Sequence, residues 1–129
     1  MLAVDTNVLV RFFTRDDPHQ AERARAVIVG NEIWISKTVL LETEWVLRRT
    51  YKFPAERVIS IFQSLAASET VFIEDPFTVA EALRLAADGL DFANALHVAS
   101  AGSSAQFVTF DADLAKKAKG LARIEVSRV

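Results

Sequence analysis

The chain has 129 residues, 51% hydrophobic and 25% charged, with a formal net charge of −2 and no cysteine. That length is the size of one domain, and the composition excludes intrinsic disorder. The missing cysteine excludes disulfide scaffolds, zinc ribbons and thiol catalysis, while the mild acidity excludes a general polyanion binder that works without a local basic surface or a bound cation.

Leu2-Ala3-Val4 reads as a short buried strand ending at Asp5. Val8, Leu9, Phe12 and Phe13 then recur at helical spacing, with Thr6 or Asn7 as the cap. Asp17 and Pro18 open a second helix, rich in Ala, Glu and Arg, that ends at Gly30-Asn31. Ile33-Trp34-Ile35 is the second strand, and Ser36 caps a helix to about Tyr51 with Val39, Leu40, Thr43, Val46 and Leu47 on its apolar side. Pro54 starts a helix striped by Val58, Ile61, Phe62 and Leu65, followed by the strand Val71-Phe72-Ile73. Pro76 opens a helix through Ala86, broken at Asp88-Gly89, and an almost wholly apolar helix runs from Asp91 to about Ala101. The strand Phe107–Phe110 ends at Asp111, and a short lysine-rich helix leads to a last strand at Ile124-Glu125-Val126.

Strands alternating with helices predict a single α/β domain over residues 1–129, around a central, mostly parallel sheet of about four to five strands. The first residues lack a basic leader, and the apolar stretches fall short of the ~20 residues of a membrane span. A soluble, cytoplasmic protein with no membrane contact is expected.

The placement of the acids carries the functional reading. Asp5 and Asp111 each follow a strand directly, and the carboxyl ends of parallel strands are where α/β proteins build sites. Glu42 lies in an apolar helix, four residues from both Thr38 and Val46, and is expected to point inward while Glu44 faces solvent. Asp91 and Asn94 lie three apart on one face of the apolar helix. Oxygen ligands from separate elements, without a His or Cys cluster, suit a hard cation such as Mg²⁺ or Mn²⁺. A cation so held can activate water for in-line displacement at a phosphodiester.

Four segments in order, Val4-Asp5-Thr6-Asn7, Leu41-Glu42-Thr43-Glu44-Trp45-Val46-Leu47-Arg48, Asp91-Phe92-Ala93-Asn94-Ala95-Leu96-His97 and Val108-Thr109-Phe110-Asp111, make the chain resemble the PIN-domain family. It resembles in particular the VapC-like toxin ribonucleases of toxin–antitoxin pairs, over essentially its whole length. The resemblance implies a three-layer α/β/α fold and a Mg²⁺- or Mn²⁺-dependent endoribonuclease that hydrolyses RNA with a metal-activated water. Asp5, Glu42, Asp91 and Asp111 are its catalytic acids; these four and Asn94 hold the metal, and Thr6, Asn7 and Thr109 support it. A cognate antitoxin and a homodimer are implied with it. The family usually has aspartate where Asn94 stands, which opens the alternative of a weakened or silent PIN domain that binds its antitoxin or RNA.

Plainer roles are available for each residue. Asp5, Asp91 and Asp111 suit helix caps, and Glu42 suits an ion pair with Arg11 or Arg48. His97 reads as a core or interface histidine and His19 as a surface one. Trp45, Phe12, Phe13 and Phe53 read as core or dimer surface. Among the cations, Arg11, Arg15, Arg48 and Lys116 are the candidates to hold substrate phosphates. An apolar groove beside Phe53 to Leu65 suits an antitoxin segment. Ser103-Ser104 has no setting for serine hydrolysis, and no Gly-rich loop supports a Walker nucleotide site. A phosphoacceptor receiver domain is disfavoured, because Val71-Phe72-Ile73-Glu74 lacks the required strand-end aspartate.

Overall fold

The computed structural model describes residues 1–103 and 106–129; Ser104 and Ala105, and with them half of the Ser103-Ser104 pair, lie outside the described residues. The chain forms two compact units, Met1–Pro76 and Phe77–Val129.

In the first unit the elements run β1 (Leu2–Ala3), α1 (Thr6–Thr14), α2 (Pro18–Gly30), β2 (Ile33–Ile35), α3 (Lys37–Arg49), α4 (Ala55–Ala67) and β3 (Val71–Ile73). The three strands form one parallel sheet in the order β1-β2-β3. The register pairs Ala3 with Trp34 and Trp34 with Phe72, and pairs Ile35 with Ile73. Alternation follows the strand period of two: Ile33, Ile35 and Ile73 are buried, while Trp34 and Phe72 share the exposed face. Parallel neighbours need long crossovers, and here each crossover is a pair of helices, α1–α2 and then α3–α4. Leu9, Leu40, Leu47, Val58 and Phe62 from those helices are completely buried. Each such side chain contributes about 1.5–3 kcal/mol relative to exposure.

Local signals set the helix starts. Asp17 caps α2 by accepting the Gln20 N–H at 3.1 Å, with Pro18 at the first helical position. Ser36 caps α3 through the Val39 N–H at 3.1 Å, and Glu74 accepts the Lys37 N–H at 2.9 Å, so two free donors of that helix end are satisfied. The cap of α1 is Asp5, not Thr6 or Asn7: helical geometry begins at Thr6, one residue earlier than the apolar periodicity suggests.

The sharp turn between α1 and α2 is pinned by a polar network. Arg15 closes α1 in the left-handed region at φ 55°. Arg11 donates through Nη1 to Asp16 at 2.9 Å and to Tyr51 Oη at 3.1 Å, and through Nε to Gln20 at 2.7 Å. Tyr51 in turn donates to Asp16 at 2.7 Å, as does Thr14 at 3.1 Å. The Tyr51 hydroxyl, with help from Thr14 and Arg11, holds the Asp16 carboxyl below the usual aspartate range. Asp16 likewise pushes the Arg11 guanidinium up.

The second unit contains α5 (Pro76–Ala87) from its second residue on, then α6 (Phe92–Ser100), β4 (Gln106–Thr109), α7 (Ala112–Ala118) and β5 (Glu125–Arg128). Its two strands pair in parallel, Phe107 with Val126 and Thr109 with Arg128. The five expected strands are therefore present and parallel, in one ladder of three and one of two. β4 stops at Thr109, because the Thr109 hydroxyl accepts the Asp111 N–H at 3.0 Å and turns the chain before Phe110 can join the ladder. Arg84 on α5 grips Glu81 with two bonds of 2.6 and 3.0 Å, and donates to the Leu121 carbonyl at 2.8 Å. That guanidinium lowers the Glu81 carboxyl pKa, with a smaller contribution from Arg123. Among the described residues no helix is long and apolar enough to cross a membrane.

Two stability predictions follow from these contacts. Thr43 on α3 is completely buried, and its hydroxyl has no hydrogen-bond partner among the described residues. Thr43→Val removes an unsatisfied group at constant volume, so urea melts should show neutral or increased stability, by up to about 1 kcal/mol; a clear loss would show that the hydroxyl is paired. Asp16, with its folded pKa lowered, stabilises above its unfolded pKa and loses that stabilisation as pH falls through the folded value. Thermal melts should show wild type above Asp16→Asn near neutrality, the gap closing below the ordinary aspartate pKa of about 3.9. A gap that persists in strong acid would remove the network from the account.

Candidate active site

The carboxyl end of β1 delivers Asp5 in extended geometry, and its Oδ1 accepts the Val8 N–H at 3.3 Å. The next residue, Thr6, is buried, and its hydroxyl donates to Oε1 of Glu42 on α3. Two residues 36 apart in sequence, from two of the singled-out segments, are thus in direct contact.

The orientation of α3 differs from the sequence expectation. Leu40, Thr43, Glu44 and Leu47 are buried, whereas Glu42 and Thr38 are exposed. The buried stripe has the i, i+3, i+4, i+7 spacing of one helix face, and Glu44 belongs to it at four residues from Leu40. Glu44 is only 4% exposed and is held by Arg48, Nε to Oε2 at 2.7 Å and Nη2 to Oε1 at 3.5 Å. A buried carboxylate with a two-pronged arginine one turn away satisfies its charge locally. The Thr38–Glu42–Val46 spacing marked a flank of this stripe, which is why it misled. The Glu44–Arg48 pair has a sequence signal of its own, acid then arginine at i,i+4, whereas Glu42 and Arg48 are six residues apart.

In the second unit, Asp91 caps α6 by accepting the Asn94 N–H at 3.2 Å, and the Asn94 residue itself is half-buried. Asp111 caps α7 with one oxygen, which accepts the Asp113 and Leu114 N–H groups at 2.9 and 3.0 Å. All three aspartates are exposed. The capping role foreseen for them is real. Among the described residues Asp5 and Asp111 use only Oδ1 in these bonds, so Oδ2 stays open.

The cations are placed as follows. Among the described residues no lysine or arginine pairs with Asp5, Glu42 or Asp111. The ion pair considered for Glu42 is therefore absent: Arg48 holds Glu44, and Arg11 holds Asp16. Arg15 and Lys116 are exposed. His97 is exposed rather than a core residue, since the buried positions of α6 are Phe92, Ala95, Leu96 and Val98. His19 is exposed as expected. Trp45 is 53% exposed, and Phe12 and Phe13 meet edge to face at 5.0 Å between centroids. An apolar groove of about 560 Å³ does lie along α4, between Phe12, Phe13, Ile28, Ile61, Leu65 and Val71.

The contacts among these residues include the Thr6 hydroxyl with the Glu42 carboxylate, the Asp91 carboxylate with the Asn94 N–H, and the Thr109 hydroxyl with the Asp111 N–H. Among the described residues no group of three or more His, Cys, Asp or Glu forms a set that could hold a metal ion. The donor chemistry is nonetheless that of a hard divalent cation: exposed carboxylate oxygens, unpaired by lysine or arginine at Asp5, Glu42 and Asp111, with no soft ligand.

The family model for the PIN domain matches residues 2–120. No curated protein gives a significant match. PIN domains have a three-layer α/β/α fold, are generally nucleases acting on RNA or DNA, and typically depend on divalent metal ions. With all but the last nine residues and the first covered by that match, the chain belongs to the PIN domain family.

Proposed function

We propose that this PIN domain is a Mg²⁺- or Mn²⁺-dependent endoribonuclease and the toxin of a toxin–antitoxin pair. The observation that carries the proposal is the hydrogen bond that the Thr6 hydroxyl donates to Glu42 beside Asp5, two carboxylates that among the described residues no lysine or arginine pairs with. The match over 2–120 runs through both compact units, which supports reading residues 1–129 as one functional domain.

In this reading Asp5, Glu42, Asp91 and Asp111, with the Asn94 amide oxygen, hold the cation. When bound, the cation supplies Lewis acidity and neutralises charge on the phosphodiester. The protein's share is positional. Thr6 fixes one oxygen of Glu42 by donation, and the helix ends fix one oxygen each of Asp5 and Asp111. With one oxygen so fixed, each of these side chains would offer its other oxygen to the cation at little cost in rotamer freedom. Asn7 and Thr109 support the neighbouring aspartates, the latter by bonding the Asp111 N–H. Arg11, Arg15, Arg48 and Lys116 are the proposed phosphate contacts, of which Arg48 is already committed to Glu44. The apolar groove along α4 is where an antitoxin segment docks, the toxin works in the cytoplasm, and the exposed Trp45 belongs to a homodimer surface.

Asn94 favours a second reading, a silent PIN domain that binds antitoxin or RNA, because an amide brings no charge to the ion. One assay separates the two. The purified chain should cleave single-stranded RNA with Mn²⁺ or Mg²⁺ and lose all cleavage in chelator. Thr6→Val should lower metal affinity or activity about 10–100-fold, and Asp5→Asn or Glu42→Gln should lower them further. Asn94→Asp should raise activity. Cleavage by Asn94→Asp alone would establish the silent reading, and undiminished cleavage by Asp5→Asn would end the proposed site.

A further inference from the structure

A second groove, of about 300 Å³, runs between α1 and α2, and its lining includes Asn7, Arg11, Gln20 and Arg23 together with Val8 and Val27. Its near end is Asn7, two residues past Asp5 and next to the Thr6 that grips Glu42. Arg11 follows Asn7 by four residues on the same face of α1, a rise of about 6 Å, comparable to the spacing of neighbouring phosphates in an extended strand. Gln20, Arg23 and Val27 line the opposite wall at the 3-4 spacing of one face of α2.

The two arginines differ in what they already do. Arg11 is held rigid by Asp16, Tyr51 and Gln20 through Nε and Nη1, and among the described residues its Nη2 has no partner. Arg23 is exposed and makes no hydrogen bond or ion pair among the described residues. A groove with an immobilised guanidinium that keeps one unpartnered N–H group, a second, free guanidinium and two amide side chains, but no carboxylate among its lining residues, is complementary to a row of anions.

We infer that the α1–α2 groove binds the sugar–phosphate backbone of single-stranded RNA on its way to the candidate active site, with Arg23 as a phosphate contact and Arg11 Nη2 as its oriented partner. The inference rests on the ribonuclease reading for the identity of the polyanion. It adds a substrate path, and a residue, Arg23, that plays no part in metal binding. A chain with net charge −2 needs such a local cationic track to hold RNA at all.

The test compares Arg23→Glu with Arg25→Glu, an equal change of charge on the same helix at a residue that does not line the groove. Binding of a labelled single-stranded RNA is followed by anisotropy in the full-length Asp5→Asn chain with Mg²⁺, across a salt series. Arg23→Glu is expected to weaken binding at least about fivefold and to reduce the slope of log affinity against log salt by about 0.7, the value of one phosphate contact on a single strand. Arg25→Glu should leave that slope in place. With Asp5 restored, Arg23→Glu should raise KM with little change in kcat. Equal slopes in the two variants, or no RNA binding before substitution, would overturn the groove assignment. A chain that binds RNA with the expected Arg23 slope yet cleaves none with Mn²⁺ would instead overturn the nuclease reading and leave the groove standing.

Discussion

The rotation of α3 about its own axis decides where the acid of the second motif goes. Successive residues of a helix are separated by about 100°, so Glu42 and Glu44 cannot both face the core. Leu40, Thr43 and Leu47 fill the interior, and that face takes Glu44 with it. Burying a carboxylate is costly unless it is paired, and Arg48 supplies the pair from one turn along. With Glu44 satisfied inside, Glu42 is turned outward to the Thr6 hydroxyl, at the start of the helix that Asp5 caps. Apolar packing and a local ion pair thus aim a residue that takes part in neither.

The aspartates show how one geometry serves two ends. A helix N-terminus offers unpaired N–H groups and a partial positive charge, and a capping carboxylate is fixed by both. Asp5 and Asp111 each spend one oxygen on that task and present the other to solvent. Structural cap and metal ligand are therefore compatible descriptions of the same side chain. In the proposed role the physical consequence is coupling: replacing such an aspartate disturbs helix entry, typically by about 1 kcal/mol, as well as the metal binding proposed for it. Asparagine retains much of the capping ability and loses the charge, which makes it the cleaner probe at these positions.

Much of the fold was legible because its punctuation is strong. Asp17-Pro18, Ser36, Pro54 and Pro76 mark helix entries by fixed φ or by a side-chain acceptor, and each stands where a helix begins. Ile33-Trp34-Ile35 and Val71-Phe72-Ile73 are short, β-branched or aromatic runs, and both are strands. Less legible was anything decided by tertiary packing. The end of β4 depends on one hydroxyl turning the chain at Thr109, while composition favours carrying the strand through Phe110. The inward face of α3 was misassigned because Thr38 and Val46 flank the true stripe, and a buried Glu44 is explained only once Arg48 is seen to hold it. His97 sits in an apolar run, yet the face of α6 that packs is the one bearing Ala95 and Val98.

Charge was the hardest property to read from the sequence, and the α1–α2 groove shows why. On α2, Glu22, Arg23 and Arg25 look like the mixed charges of an ordinary solvated helix. Only the packing of α1 against α2 selects Arg23 as a wall of the groove and leaves Arg25 outside it. The same packing explains why Arg11 is worth more than its formal charge. Its ion pair with Asp16 cancels much of its long-range field, which is screened in any case beyond about 8–10 Å at physiological salt, but that bond and those to Gln20 and Tyr51 also remove the rotamer freedom that a flexible arginine must lose on binding. Arg23 retains its full charge and its freedom. A mildly acidic protein can in this way attract a polyanion with one residue and orient it with another.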